Sequence, residues 1–243
     1  MPDKNIALAV LDMAGTTVAD GGLVLRAFDV AATSAGIETE GPHRDQARQY
    51  VLDTMGQSKI AVFRALLGDE DRAQAANRAF ETAYDALIDE VEITPIPGAA
   101  EAIAALRDAG VKVALTTGFS RTTQDRLLNA LGWTEITDLT LAPSDAGRGR
   151  PYPDMVLTAL LRLDIDAVDQ VAVLGDTTSD IASGLAAGAR IVAGTLTGAH
   201  DEEQLRAAGA THVVASVTEF AELIRDENPR PFDSTLHPNR KLQ

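Results

Sequence analysis

The chain has 243 residues, enough to bury one good core and add a smaller second unit. It holds no cysteine, which excludes disulfides, thiolate metal sites and a cysteine nucleophile. Its formal net charge of −15 argues against nucleic acid or an anionic membrane as partner, since both require a basic face.

The first element is an apolar run at residues 6–11, read as a buried strand. It delivers Asp12-Met13-Ala14-Gly15-Thr16-Thr17. A carboxylate at a strand end, followed by a Gly turn and two hydroxyls, suits a nucleophile that attacks phosphorus. Taken alone, Asp12 reads equally well as a residue that merely caps a turn. Residues 21–94 then show helical patterns at 23–35, 44–54, 58–67 and 73–91, with no convincing strand. This stretch reads as an inserted helical lid, and Pro95 and Pro97 mark the return to the main pattern.

From there, short apolar runs at 111–116, 139–142, 171–174, 191–193 and 212–215 alternate with amphipathic segments at 98–108, 121–131, 154–163, 179–187 and 218–225. Continuous apolar strands between helices imply a parallel sheet covered on both faces. The expected fold is therefore α/β, with a core from residues 1–20 and 95–227, a helical insert at 21–94 and a polar tail at 228–243. Ligands of such folds sit at the carboxyl ends of the strands.

Three further pieces fall at such ends. Thr116-Thr117-Gly118 offers a hydroxyl and a close backbone approach, or else a strand-to-loop turn with an N-capping Thr. Gly149-Arg150-Pro151-Tyr152-Pro153 holds a permanently charged guanidinium before a helix, suited to an anion, or else a surface arginine in a loop. Gly175-Asp176-Thr177-Thr178-Ser179-Asp180 places two carboxylates four residues apart. That pair is a hard oxygen site suited to Mg²⁺, although Asp180 also reads as a first-turn acid favoured by the helix dipole.

The four pieces, in this order, resemble the haloacid dehalogenase superfamily of aspartate-nucleophile hydrolases, over residues 5–225. The resemblance implies a Rossmann-like core with a helical cap, Asp12 as nucleophile, and Gly15, Thr16, Thr117 and Gly118 around the phosphoryl group. It implies Mg²⁺ held by Asp12, the backbone carbonyl of Ala14, Asp176 and Asp180, with Arg150 standing where most members have Lys. Ala14 and Arg150 together match the phosphonoacetaldehyde hydrolase branch, as does Met55-Gly56-Gln57-Ser58-Lys59 in the insert. In that branch the lysine at this spacing forms a Schiff base with the substrate aldehyde, with Met55 and Gly56 beside it.

The chemistry accounts for the combination. Direct C–P cleavage would expel a carbanion, whereas an iminium on the neighbouring carbon accepts the electrons as an enamine. An acid at position 14 to protonate a leaving oxygen is then unnecessary. At roughly 100° per residue Lys59 points within about 40° of Phe63 and Leu66, which sets it on an apolar face. A lysine there reads either as a desolvated amine or as a side chain that snorkels to water.

Three positions depart from the branch: Val62 in place of a His, Phe119 in place of a Tyr, and Gly22 near a common Cys. The expected substrate is a small phosphonate or phosphate that carries a carbonyl. The alternatives are an ordinary phosphomonoester phosphatase without a Schiff base, a haloacid dehalogenase, and a non-catalytic binding protein on the same fold. No apolar run reaches the ~18 residues of a membrane span and no leader-like segment opens the chain, so a soluble, cytoplasmic enzyme is expected. The resemblance also suggests a homodimer. None of the four histidines shows metal-ligand spacing, and Trp133 reads as packing.

Overall fold

A computed structural model describes residues 5–228. Its centre is a six-stranded sheet built from β1 (Leu8–Asp12), β2 (Lys112–Thr116), β3 (Leu139–Leu141), β4 (Val171–Gly175), β5 (Ile191–Thr195) and β6 (His212–Val214). The spatial order is β3-β2-β1-β4-β5-β6, and every pair is parallel. The order reverses at β1, with β2 on one side and β4 on the other, which is the topological switch point where such sheets bind ligands.

The strand composition explains the layers. Side chains alternate between the two faces of a strand, so Leu8 and Val10 go one way and Ala9 and Leu11 the other. The first pair joins Val171, Val173, Met155 and Ala159 in one apolar cluster, and the second joins Leu115, Leu174, Ile103 and Phe220 in another. These clusters lie under α8 (Asp154–Arg162) on one side, and α5 (Ala99–Asp108) and α11 (Val217–Glu227) on the other. β1, β4 and β5 are buried throughout, which is why they are apolar up to their carboxyl ends.

Four helices interrupt the alternation between β1 and β2, as expected: α1 (Leu23–Ser34), α2 (Pro42–Asp53), α3 (Lys59–Leu67) and α4 (Glu70–Glu90). They enclose a chain of aromatic rings, with centroids 5.9 Å apart for Phe28–Phe63, 6.2 Å for Phe63–Phe80 and 5.8 Å for Phe80–Tyr84. Phe119, from the loop after β2, completes the chain at 4.6 Å from Tyr84 and 6.3 Å from Phe80. Each such pair adds about 0.5–1.5 kcal/mol beyond its buried area, so a ring from the sheet side ties the insert to the sheet.

Two short helices were not expected: α7 (Pro143–Ala146) and α10 (Glu202–Ala207). Neither spans enough turns to display an apolar period. Helix α4 begins at Glu70 rather than at residue 73, because Asp69 accepts a hydrogen bond from the Arg72 amide at 2.8 Å and the first turn is acidic and solvated. α6 (Arg121–Leu131) and α9 (Thr178–Ala187) fall where the periodicity put them, to within a residue. Trp133 is buried in the main core. Asn228 docks on Ile6 through both its amide atoms, at 2.7 and 2.8 Å; the rest of the expected tail lies outside the described residues. Among the described residues no helix is long and apolar enough to cross a membrane.

Candidate active site

The parallel register sets Asp12 beside Thr116, with Leu11 beside Leu174, so the strand ends of β1, β2 and β4 come level. Asp12, Thr117, Arg150 and Asp176 thereby converge on one cavity of about 260 Å³. Ala14, Gly15, Met55, Gly56, Lys59 and Gly118 also line it. A space this small suits a ligand of few atoms.

At the sheet end the cavity is charged. Arg150 Nη1 lies 2.6 Å from Asp12 Oδ1 and also donates to Asp180 Oδ1, all three side chains being buried. Asp12, Asp176 and Asp180 each offer a carboxylate oxygen, and these oxygens lie within 4.8 Å of one another. Burial pushes the Asp12 carboxyl well above the ordinary carboxylate range; Arg150 opposes this, while Asp180 and Asp176 add to it. Burial, then Asp180, raise Asp176 to about 7. Three buried carboxylates facing one guanidinium leave surplus negative charge, and an all-oxygen donor set is what a small hard dication requires. The residues fit Mg²⁺. Arg150 Nε is buried without a hydrogen-bond partner, a donor left over at the charged end.

Not every expected residue faces the cavity. Thr16 is fully buried behind it and donates its hydroxyl to Asp176 Oδ1 at 3.3 Å. Asp180 also stands behind the lining, where it accepts from the Thr177 amide at 3.1 Å and from the Thr177 hydroxyl. Both residues therefore act on the cavity through their neighbours.

The opposite end comes from the insert. The backbone amide of Lys59 donates to Gly118 O at 3.4 Å, and a Cβ on Gly118 would sit 2.6 Å from Gln57 O. The absence of a side chain there lets the insert's loop lie on the end of β2. Lys59 Nζ lies 5.4 Å from the Phe119 ring centroid and 5.9 Å from that of Phe80. Desolvation, with Arg150 nearby, lowers its pKa to about 8, against smaller upward pulls from Asp20, Asp12 and Asp176. Val62 and Phe119 are buried and carry no ionisable group.

Residues outside the four motifs complete the wall, Asp20, Gly21, Val24 and the segment Thr197-Gly198-Ala199, together with Thr177 from the last motif. That segment follows β5 and buttresses Asp176, whose Oδ2 accepts from the Ala199 amide at 2.7 Å. A Cβ on Gly198 would sit 2.0 Å from the same oxygen. Thr197 donates to Gly15 O at 2.7 Å, linking the segment to the first motif. The signal was present, because Thr197-Gly198 repeats at the end of β5 the Thr-Gly pattern of Thr117-Gly118. His200 accepts from the Thr178 amide through Nδ1 at 2.9 Å.

The fold and site are those of a hydrolase: a parallel sheet with an aspartate at the end of a central strand, an arginine on that aspartate and a carboxylate cluster beside it. The chain belongs to the haloacid dehalogenase-like hydrolase family, whose model matches residues 6–188. It is 28% identical over 216 residues to the probable phosphatase IndB of Dickeya dadantii, covering 87% of this chain and 90% of the relative. It is 31% identical over 201 residues to phosphonoacetaldehyde hydrolase of Bacillus thuringiensis, covering 76% and 74%. Among solved structures it resembles a phosphonoacetaldehyde hydrolase-like protein of Oleispira antarctica, with a TM-score of 0.78, 25% identity and 92% of each chain covered.

Proposed function

We propose that the protein hydrolyses a small phosphonate bearing a carbonyl group, phosphonoacetaldehyde or an analogue, with Asp12 as nucleophile and Lys59 as Schiff-base amine. The observation that carries this reading is the position of the Lys59 amine. It lies in the same small cavity as Asp12, desolvated and against two aromatic rings, opposite a residue 14 that holds no acid. A lowered pKa raises the share of neutral amine, which is the form that adds to a carbonyl.

On this reading Arg150 and the Thr117 hydroxyl hold the phosphoryl oxygens, while the Gly118 and Gly15 turns keep backbone close to them. Lys59 condenses with the carbonyl, releasing water and leaving an iminium. Asp12 then attacks phosphorus; the C–P bond breaks and its electron pair passes into the iminium to give an enamine. Water cleaves the phosphoaspartyl bond, and a second water releases the protonated enamine as aldehyde. Asp12, Asp176 and the Ala14 carbonyl would hold Mg²⁺, with Asp180 supporting the site from behind, and the ion would supply neutralisation of the phosphoryl charge. The insert acts as a cap that excludes water from the amine.

Incubation of the Mg²⁺-loaded enzyme with phosphonoacetaldehyde, followed by ³¹P NMR, tests the reading. Conversion to inorganic phosphate, its loss in Asp12→Asn, and borohydride trapping of the substrate carbon on Lys59 are expected. Conversion of phosphate esters alone, unaffected by Lys59→Ala, would instead establish an ordinary phosphomonoesterase, the reading favoured by similarity to the probable phosphatase.

A further inference from the structure

Among the described residues five ionisable side chains line the cavity: Asp12, Asp20, Lys59, Arg150 and Asp176. Asp12, Arg150 and Asp176 form the phosphorus end, and a guanidinium does not exchange protons near neutrality. The amine end is left with Lys59 and one acid. Forming an iminium requires several proton transfers, and neither Val62 nor Phe119 can carry a proton.

We propose that Asp20 is the proton-transfer partner of Lys59, taking and returning the proton as the amine condenses with the substrate carbonyl. The inference rests on the Schiff-base reading above. Asp20 ends the loop that follows the Asp12 motif, two residues before the glycine that begins α1. Its Oδ2 accepts from the Gly22 amide at 3.0 Å and its Oδ1 from the Val24 amide at 3.3 Å. Gly22 occupies the N-cap position of α1 in the left-handed region and has no side chain to cap with, so Asp20 caps the helix from outside. The two amides fix the carboxylate on the cavity wall and still leave lone pairs on both oxygens.

Electrostatics agree with the placement. Lys59 feels Arg150, Asp20, Asp12 and Asp176, and among these acids Asp20 acts on it most strongly. Asp20 feels Lys59 in turn, and the phenol of Tyr84, pushed upward mainly by burial, feels Asp20. Burial raises the Asp20 carboxyl and lowers the Lys59 amine. The two affinities move toward each other, which favours exchange of a proton between them.

The protons balance. The Lys59 ammonium gives a proton to Asp20, and the neutral amine adds to the carbonyl carbon as the π pair moves to oxygen. Asp20 protonates that oxygen, then removes a proton from the new C–N nitrogen. It finally returns this proton to the hydroxyl, which leaves as water while the nitrogen lone pair closes the iminium. Ammonium plus aldehyde gives iminium plus water, with Asp20 ionised at both ends.

The test measures the rate of borohydride-trapped adduct on the full-length enzyme with phosphonoacetaldehyde between pH 6 and 9, by quenched flow and mass spectrometry. The variants Asp20→Asn and Asp20→Ser both keep an oxygen that caps α1, and Asp20→Glu restores an acid. Trapping about a hundredfold slower in Asn and Ser, with a changed pH profile and partial rescue by Glu, would establish the role. Wild-type rate and profile in Asn or Ser would overturn it and leave Asp20 as a helix cap. A wild-type enzyme that yields no adduct would remove the Schiff-base reading and this inference with it. That failure is distinct, because it appears before any variant is made.

Discussion

Arg150 Nη1 contacts Asp12 at 2.6 Å and also contacts Asp180, so one guanidinium spans the carboxylate at the end of β1 and the acid in the first turn of α9. The first is the group proposed to attack phosphorus, and the second is its buried counterweight. Each carboxylate would be costly to bury alone. Removal of this cation should therefore cost fold and chemistry together. Arg150→Ala is expected to lower stability by about 3–5 kcal/mol and to abolish turnover. Arg150→Lys, a single point of charge, should recover stability in part and activity poorly. Urea unfolding at neutral pH and single-turnover rates check both.

The carboxylate cluster predicts a metal effect that is readable without substrate. Mg²⁺ should raise the unfolding temperature, because an ion held at the Asp12, Asp176 and Asp180 cluster would bind only the folded state. Asp176→Asn should lose most of that rise, and EDTA should abolish turnover reversibly. Differential scanning fluorimetry across a Mg²⁺ series decides; a wild-type unfolding temperature indifferent to Mg²⁺ would contradict the site.

Lys59 makes a pH prediction with a definite sign. Its folded pKa of about 8 lies below the ordinary 10.5, so the folded state binds this proton less tightly than the unfolded chain. The penalty is present in full below pH 8 and is relieved as pH rises from about 8 toward 10.5. Lys59→Met should accordingly be more stable than wild type at pH 7, by up to about 3 kcal/mol, while losing adduct formation. On the Asp20 relay, whose starting state is the ammonium, adduct formation in the wild type should fall as pH rises above about 8.

Ala14 is the position at which an acid would serve an oxygen leaving group. Ala14→Asp should raise Mg²⁺-dependent hydrolysis of phosphate monoesters, by about tenfold or more if general-acid catalysis is gained, and should reduce activity on phosphonoacetaldehyde. Steady-state kinetics with both substrate types would show the exchange; a fall on both would indicate that the added carboxylate only crowds the cavity.

Gly118 lets the insert dock. In Gly118→Ala the new Cβ would sit 2.6 Å from Gln57 O and 2.9 Å from Gly56 O, so the loop that carries Lys59 must lift. The expected result is a fall in kcat/KM of at least about tenfold, with faster proteolysis around residues 55–58. Intact wild-type kinetics would mean that the loop shifts without consequence.

The strands, the four-helix insert and the order of the four motifs were legible in the sequence, because each depends on local pattern. An apolar run bounded by Asp12, or by Gly175-Asp176, declares a buried parallel strand and the place where it ends. The family likeness rests on those same local pieces. Helices α7 and α10 were not legible, since four and six residues are too few for a period to show. What the tertiary structure decided is which strand-end residues see one another. It put Thr16 and Asp180 behind the cavity and Asp20 on its wall, and it brought Thr197-Gly198 against Asp176. It also set the Lys59 amine between rings from the insert and from the loop after β2. Residue periodicity says which face a side chain takes. Only sheet register and the packing of the insert bring side chains so distant in the chain within a few ångströms and bury them together, and that burial, with the neighbouring charges, shifts their proton affinities.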